Sequence, residues 1–427
     1  MADLRQDAVD KVESLRDYLI ATVQELVRIP SINHPPTGDE HACQMAVARQ
    51  FRDMELAPEV YYLDDVAGLK EHPSYWPGRD YGNRPNVVAR RKGEGSGHSL
   101  VLSGHIDTVP LGLQPWIHDP LGAQIDGDRL YGLGAFDMKG GIAANLGVMR
   151  ALQEMDSALL GDVICESIVD EEFGGVNGTL AGRVRGDNGD AMVITEPSGL
   201  NIFNEGRGGR VAHITLSGAE GILFDEGEPG HAIRQLAHLL KWLDVFRERQ
   251  RAKVPGWEPR SEDPVPVWVT KVAAGGWGTD VPITTPAEVK VELYWQFMPG
   301  QEQDQVEGEF FAWLEDMVAD KPNDFPGVPK VDFPYRFMPG SAIPADTPFI
   351  QTLSRCAQEV SGTSPVVKPL PAPSDMFVVH RDFDIPCVHY GVGGANAHSA
   401  DEFIVVEDLI VVTKTLTLLA LDWCGLA

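Results

Sequence analysis

The sequence predicts an α/β protein, a mostly parallel sheet sandwiched by helices, with a compact ferredoxin-like α+β domain inserted into it. Three observations predict this. Apolar strand-like runs alternate with helical stretches through the first half of the chain. The pattern then changes to strand, helix, strand, strand, helix, strand, which is the split βαβ order. After residue 339 the chain returns to helix and strand signals of the first kind. It therefore divides into residues 1–206, an inserted lid at 207–338, and a completing segment at 339–427. At 427 residues, burial does not limit such an arrangement.

Each element has its own signal. Residues 9–29 place Val12, Leu15, Leu19, Val23, Leu26 and Val27 on one face at helical spacing, and Pro30 ends the run. A second helical pattern covers 40–54. Residues 58–85, rich in Pro, Gly and aromatics, read as a long ordered loop. Its Tyr61, Tyr62, Tyr75, Trp76 and Tyr81 either line a substrate cleft or cover the edge of the core. Strands are expected at 86–89, 99–103, 163–169 and 191–195, with helices at 140–154 and 175–184. In the lid, strands at 210–217, 265–273, 287–297 and 330–337 accompany helices at 231–251 and 303–319. Beyond it follow a helix at 347–360, a strand at 387–390 and a helix at 406–422.

Composition narrows the function. The 63 acidic residues against 35 basic ones give a formal charge of −28, which opposes binding to nucleic acid or anionic membranes. No run of about 18 apolar residues occurs, and the amino terminus lacks the apolar core of a signal peptide. The five Cys are scattered without CxxC spacing, so neither a disulfide framework nor a thiolate zinc site is indicated. A reducing, cytoplasmic setting is the expectation, with a small molecule as partner.

The chemistry concentrates in five short segments: Gly104-His105-Ile106-Asp107, Gly134-Ala-Phe-Asp137-Met-Lys139, Asp170-Glu171-Glu172, Thr195-Glu196-Pro197 and Ala397-His398-Ser-Ala-Asp401-Glu402. In a strand, residues two apart share a face, so His105 and Asp107 point the same way. Parallel sheets bind ligands beyond the carboxyl ends of their strands, where His105, Asp107, Glu171, Glu172 and Glu196 fall. Imidazole and carboxylate without thiolate suit zinc, with manganese or cobalt as alternatives. Neighbouring Glu171 and Glu172 point in different directions, so one can bind metal while the other faces a metal-bound water. His118, His389 and Lys139 read as structural residues, and Cys165 and Cys387 as core.

Taken in this order, the five segments resemble the di-zinc metallopeptidase and deacylase family of acetylornithine deacetylase, succinyl-diaminopimelate desuccinylase, aminoacylase and glutamate carboxypeptidase. The resemblance covers nearly the whole chain. It implies two Zn2+ ions bridged by Asp137, with His105 and Glu196 completing one site and Glu172 and His398 the other. It implies Glu171 as general base, Asp107 orienting His105, a cis Asp137–Met138 peptide, and amide (C–N) hydrolysis. It also implies a lid that dimerises; the altered lid leaves a monomer open.

The departures lie in that lid. Where the family carries a His that helps stabilise the tetrahedral intermediate from the partner subunit, this chain has Ile222; where an Asn is expected, it has His231, a candidate for the missing role. Where the family's Arg grips a substrate carboxylate, the chain has Gln296. Gln cannot reproduce the charged two-point contact of Arg. The substrate is therefore expected to be a neutral or aromatic amide or imide, consistent with Trp277 and Trp295 nearby in sequence. An ordinary N-acyl-amino-acid deacylase or dipeptidase, and a catalytically silent metal-binding relative, are the alternatives.

Overall fold

The computed structural model describes residues 2–155, 158–218, 221–222, 232–254, 256, 263–276 and 284–426. Two compact units emerge. One comprises Met1–Glu205, Ala342–Pro369 and Asp375–Ala427; the other Gly206–Ser341 and Leu370–Ser374.

The first unit is built on a mixed sheet. Its centre runs Val163–Ile168, Leu100–His105, Ala191–Ile194, Cys387–His389, all mutually parallel. The Leu100–His105 and Val163–Ile168 strands are buried at every residue, as a sheet covered on both faces requires. The expected mostly parallel sheet has antiparallel flanks: Pro85–Arg91 runs antiparallel to Val163–Ile168, and Ile202–Gly206 antiparallel to Cys387–His389. Strand direction depends on how the chain re-enters the sheet, which hydropathy does not encode.

Helices cover the sheet through fully buried apolar faces. Leu19, Val23, Leu26 and Val27 of Arg16–Arg28 are wholly buried, each contributing about 1.5–3 kcal/mol on burial. The single helix expected over 9–29 is two, Ala2–Ser14 and Arg16–Arg28, which meet at Leu15. Gly140–Glu154 is the central covering helix, with twelve of its residues buried. Among the described residues no helix is long and apolar enough to cross a membrane.

The second unit has a four-stranded antiparallel sheet in the order Val267–Ala274, Glu288–Phe297, Gly208–Ser217, Lys330–Asp332. Its helices Ala232–Arg251 and Gln303–Asp320 supply Leu239, Leu243, Phe246, Phe310, Trp313 and Met317 to one core. Trp295 lies inside that core, stacked on Phe310 at 4.9 Å, so it is a packing residue rather than a substrate wall. Trp277 and His231 lie outside the described residues. Ile222 sits in a short strand paired with Thr284.

Candidate metal centre

The four central strands are parallel, so their carboxyl ends open on one side of the sheet. His105 ends the first of these strands in sequence, Glu171 and Glu172 follow the second, and Glu196 follows the third. Asp137 lies in a five-residue turn, Ala135–Lys139, in which it and Met138 depart from helical φ/ψ and the Asp137–Met138 peptide is cis. Two local features place that turn. Lys139 is buried and donates from Nζ to the carbonyls of Leu26 (2.9 Å) and Ile29 (3.0 Å), tying the turn to a helix end. Gly141 passes so close to the Glu196 strand that a Cβ would lie 2.1 Å from the Thr195 carbonyl, so only glycine fits.

The ligand-type atoms converge around Asp137. His105 Nε2 lies 3.0 Å from Asp137 Oδ1 and 3.3 Å from Glu196 Oε1. His398 Nε2 lies 3.3 Å from Asp137 Oδ2 and 3.1 Å from Glu172 Oε1. The two oxygens of one carboxylate thus face two different imidazoles. His105, Glu171 and Glu196 bring ligand atoms within 4.8 Å of one another, as do His105, Asp137 and Glu172.

The donor pattern fits divalent cations. His105 Nδ1 lies 2.9 Å from the Asp107 carbonyl, so the ring donates there and turns the lone pair of Nε2 toward carboxylate oxygens. With acceptors at both nitrogens, the ring needs either a second proton or a cation between Nε2 and the acids. Burial opposes the proton, yet the Glu196 and Asp137 carboxylates hold the His105 pKa well above its ordinary value. His398 is pushed up to about 11 by its contacts with Asp137 and Glu172. Burial works against Asp137, but hydrogen bonds from both imidazoles hold its carboxyl well below the usual range. Burial pushes Glu171 well upward and Glu196 to about 7. Such crowding of acids is what bound cations relieve.

The structure amends the expectation for Asp107. Its backbone carbonyl, not its side chain, meets His105 Nδ1; the carboxylate stands 3.7 Å away. The carboxylate instead accepts the main-chain N–H of Glu171 (3.1 Å) and Glu172 (3.0 Å) and the side-chain amide of Asn33 (2.9 Å). It therefore sets the turn that presents both glutamates. Asp170, just before them, has φ 61° and is fully buried. Tyr81 Oη donates to it at 2.5 Å, Asn33 at 3.3 Å and Arg84 at 3.4 Å. Tyr81 is also bonded by Asn177, which binds both the N–H and the carbonyl of Trp76. Part of the aromatic loop thus buttresses the glutamate turn. Sequence reasoning missed Asn33, Tyr81 and Asp170 in this role, because their partners lie up to 137 residues away.

The model of peptidase family M20/M25/M40 matches residues 101–422. The chain belongs to peptidase family M20/M25/M40. A relative from Bacillus subtilis, N-formyl-4-amino-5-aminomethyl-2-methylpyrimidine deformylase, is 26% identical over 97% of this chain and 96% of its own. The deformylase of the same name from Halalkalibacterium halodurans is 24% identical over 99% of this chain and 98% of its own. Human carnosine dipeptidase 1 shares the fold with TM-score 0.76 at 16% identity, covering 99% of each chain. A Bacillus subtilis protein described as a dinuclear metal-binding M20 peptidase does so with TM-score 0.64 at 18% identity, covering 96% of this chain and 99% of its own. The M20 chain described here is a metal-dependent amidohydrolase.

Proposed function

We propose that this M20 enzyme uses two divalent ions, zinc in the first instance, to hydrolyse the N-acyl bond of a small aromatic amide that carries no free carboxylate. Asp137 would bridge the ions, with His105 and Glu196 on one side and Glu172 and His398 on the other. When bound, the ions supply Lewis-acid polarisation of the carbonyl and lower the pKa of water. Glu171 accepts the proton of the attacking water and returns it to the leaving nitrogen. Asp107 holds the Glu171 and Glu172 backbone in the turn that presents both side chains. Burial, which raises Glu171, makes it a stronger proton acceptor than a solvated carboxylate.

The observation that carries the substrate class is Gln296. It is buried, and its Nε2 donates to Tyr294 Oη at 2.8 Å and to the Pro371 carbonyl at 2.9 Å. A neutral amide committed to two protein acceptors offers a carboxylate no charged, two-point grip. The names of the bacterial relatives support the same reading, since they describe a formamide on an aromatic heterocycle.

The test is a substrate panel on zinc-loaded protein, with N-formyl and N-acetyl derivatives of aminopyrimidines and benzylamines beside N-acetyl amino acids and dipeptides. A missing charged contact of about 1.5–3 kcal/mol predicts about 10- to 100-fold higher kcat/KM for the neutral aromatic amides. Preference for the carboxylate-bearing compounds would overturn the assignment.

A further inference from the structure

We propose that the adjacent acids Asp401 and Glu402 form a clasp that fixes the spacing of the two metal positions, with His118 as its outer latch. This rests on the reading of His398 and Asp137 as ligands. All three are positioning residues, acting through the loops they hold.

His398 stands on an exposed loop whose internal bonds are few: Ser399 N–H to the Asn396 carbonyl and the Asn396 side chain to the Asp401 carbonyl. The His398 side chain is 53% exposed, far more than that of His105 at 1%. Asn396, His398 and Asp401 have φ of 64°, 60° and 57°, three non-glycine residues in the left-handed region within six positions. The two acids that follow tie this loop to two other segments, Glu402 to the Asp137 turn and Asp401 to residues 117 and 118. Glu402 is buried and its carboxylate accepts the N–H groups of Gly134 (2.8 Å), Phe136 (2.9 Å) and Asp137 (2.9 Å). The backbone of the bridging residue therefore hangs from the His398 loop. The Asp401 carboxylate accepts the N–H of Ile117 (3.1 Å), the N–H of His118 (2.9 Å) and the Nδ1–H of the His118 ring (3.0 Å). Its carbonyl accepts the Asn396 side chain at 3.1 Å. His118 belongs to the segment that leaves Asp107, and its ring is stacked on Tyr131 at 3.8 Å and 10°.

These carboxylates are committed to N–H donors and so serve the ligands rather than joining them. Losing the Asp401 arm frees the His398 loop on one side, while His105 and Glu196 stay anchored at buried strand ends. The ion beside His398 is then held more weakly, and the ion beside His105 is little affected.

The experiment is zinc titration of the metal-stripped protein by competition with a chromophoric chelator, in wild type, Asp401→Asn and His118→Phe. His118→Phe keeps a ring against Tyr131 and removes only the hydrogen bond to Asp401. The expected result is two zinc ions in wild type, and in Asp401→Asn and His118→Phe an unchanged first affinity with the second weakened about 10- to 100-fold. The thermal midpoint of metal-free His118→Phe should match wild type, which separates the clasp from general destabilisation. A second ion held as tightly as in wild type by both variants, or equal weakening of both ions, overturns the clasp and leaves the ligand assignment standing. A wild type that takes no second ion overturns the ligand assignment, and the clasp with it.

Discussion

The Asp107 carboxylate accepts the main-chain N–H of Glu172 at 3.0 Å, and with it the N–H of Glu171. One buried acid thus holds the backbone of both Glu172, a proposed metal ligand, and Glu171, the proposed proton acceptor. The same residue's carbonyl holds His105, so a single position orients both sides of the centre.

Asp107→Ala leaves the buried N–H of Glu172 and the part-buried N–H of Glu171 without their acceptor, at a cost of about 1–3 kcal/mol for the buried one, and lowers the thermal midpoint. Asp107→Asn keeps the size but turns one acceptor into a donor facing those amides. Because a misplacement of about 1 Å costs about 100-fold in rate, kcat should fall by at least that much in Asp107→Asn, with one zinc ion still tightly bound. Steady-state kinetics with metal analysis checks this.

Glu171→Gln preserves volume and removes the proton acceptor. The fold and the metal content should be unchanged, while kcat falls by about 100- to 10,000-fold. Retained turnover in a variant of verified metal content would move the base elsewhere.

Metal affinity should depend steeply on pH, and the sign follows from the imidazoles. In the metal-free centre His398 is pushed up to about 11 and His105 well above its ordinary value, so protons compete with metal at neutrality. Apparent zinc affinity therefore rises with pH from about 6 upward, and binding releases protons. For the metal-free fold the sign reverses: imidazolium–carboxylate contacts stabilise it fully below the unfolded histidine pKa and are lost as pH rises through the folded values. Calorimetry in buffers of differing ionisation enthalpy measures the released protons. Thermal midpoints across pH, with and without a chelator, test the reversal. At a free zinc concentration 100 times Kd, the bound ion adds about 2.7 kcal/mol.

Gln296→Arg should shift preference toward N-acyl amino acids, raising their kcat/KM about 10-fold or more. It also removes a buried amide bonded to Tyr294 and Pro371, so some loss of thermal stability accompanies it. Paired kcat/KM values for an N-acetyl amino acid and a neutral aryl amide, measured on both proteins, report the shift.

The residues that end apolar strands were legible in the sequence, because a strand of known length delivers its last side chains to a known edge. That logic placed His105, Asp107, Glu171, Glu172 and Glu196 at one edge of the sheet, and the order of strand and helix signals matches the second unit. It did not show that Pro85–Arg91 pairs antiparallel with Val163–Ile168, since pairing direction is set by chain re-entry. Nor could it assign the roles of Asn33, Tyr81, Asp170 or Glu402. Their partners are main-chain or distant side-chain groups, and a carboxylate that accepts N–H bonds has no local pattern to mark it. The helix break at Leu15 escaped for another reason: the apolar stripe continues through it.

The central claim is that Asp137 lies between two divalent ions. Anomalous scattering at the zinc edge from crystals of the zinc-loaded protein tests it most directly. The account predicts two peaks flanking the Asp137 carboxylate, one beside His105 and Glu196 and the other beside Glu172 and His398. A single peak, or peaks away from Asp137, would contradict it.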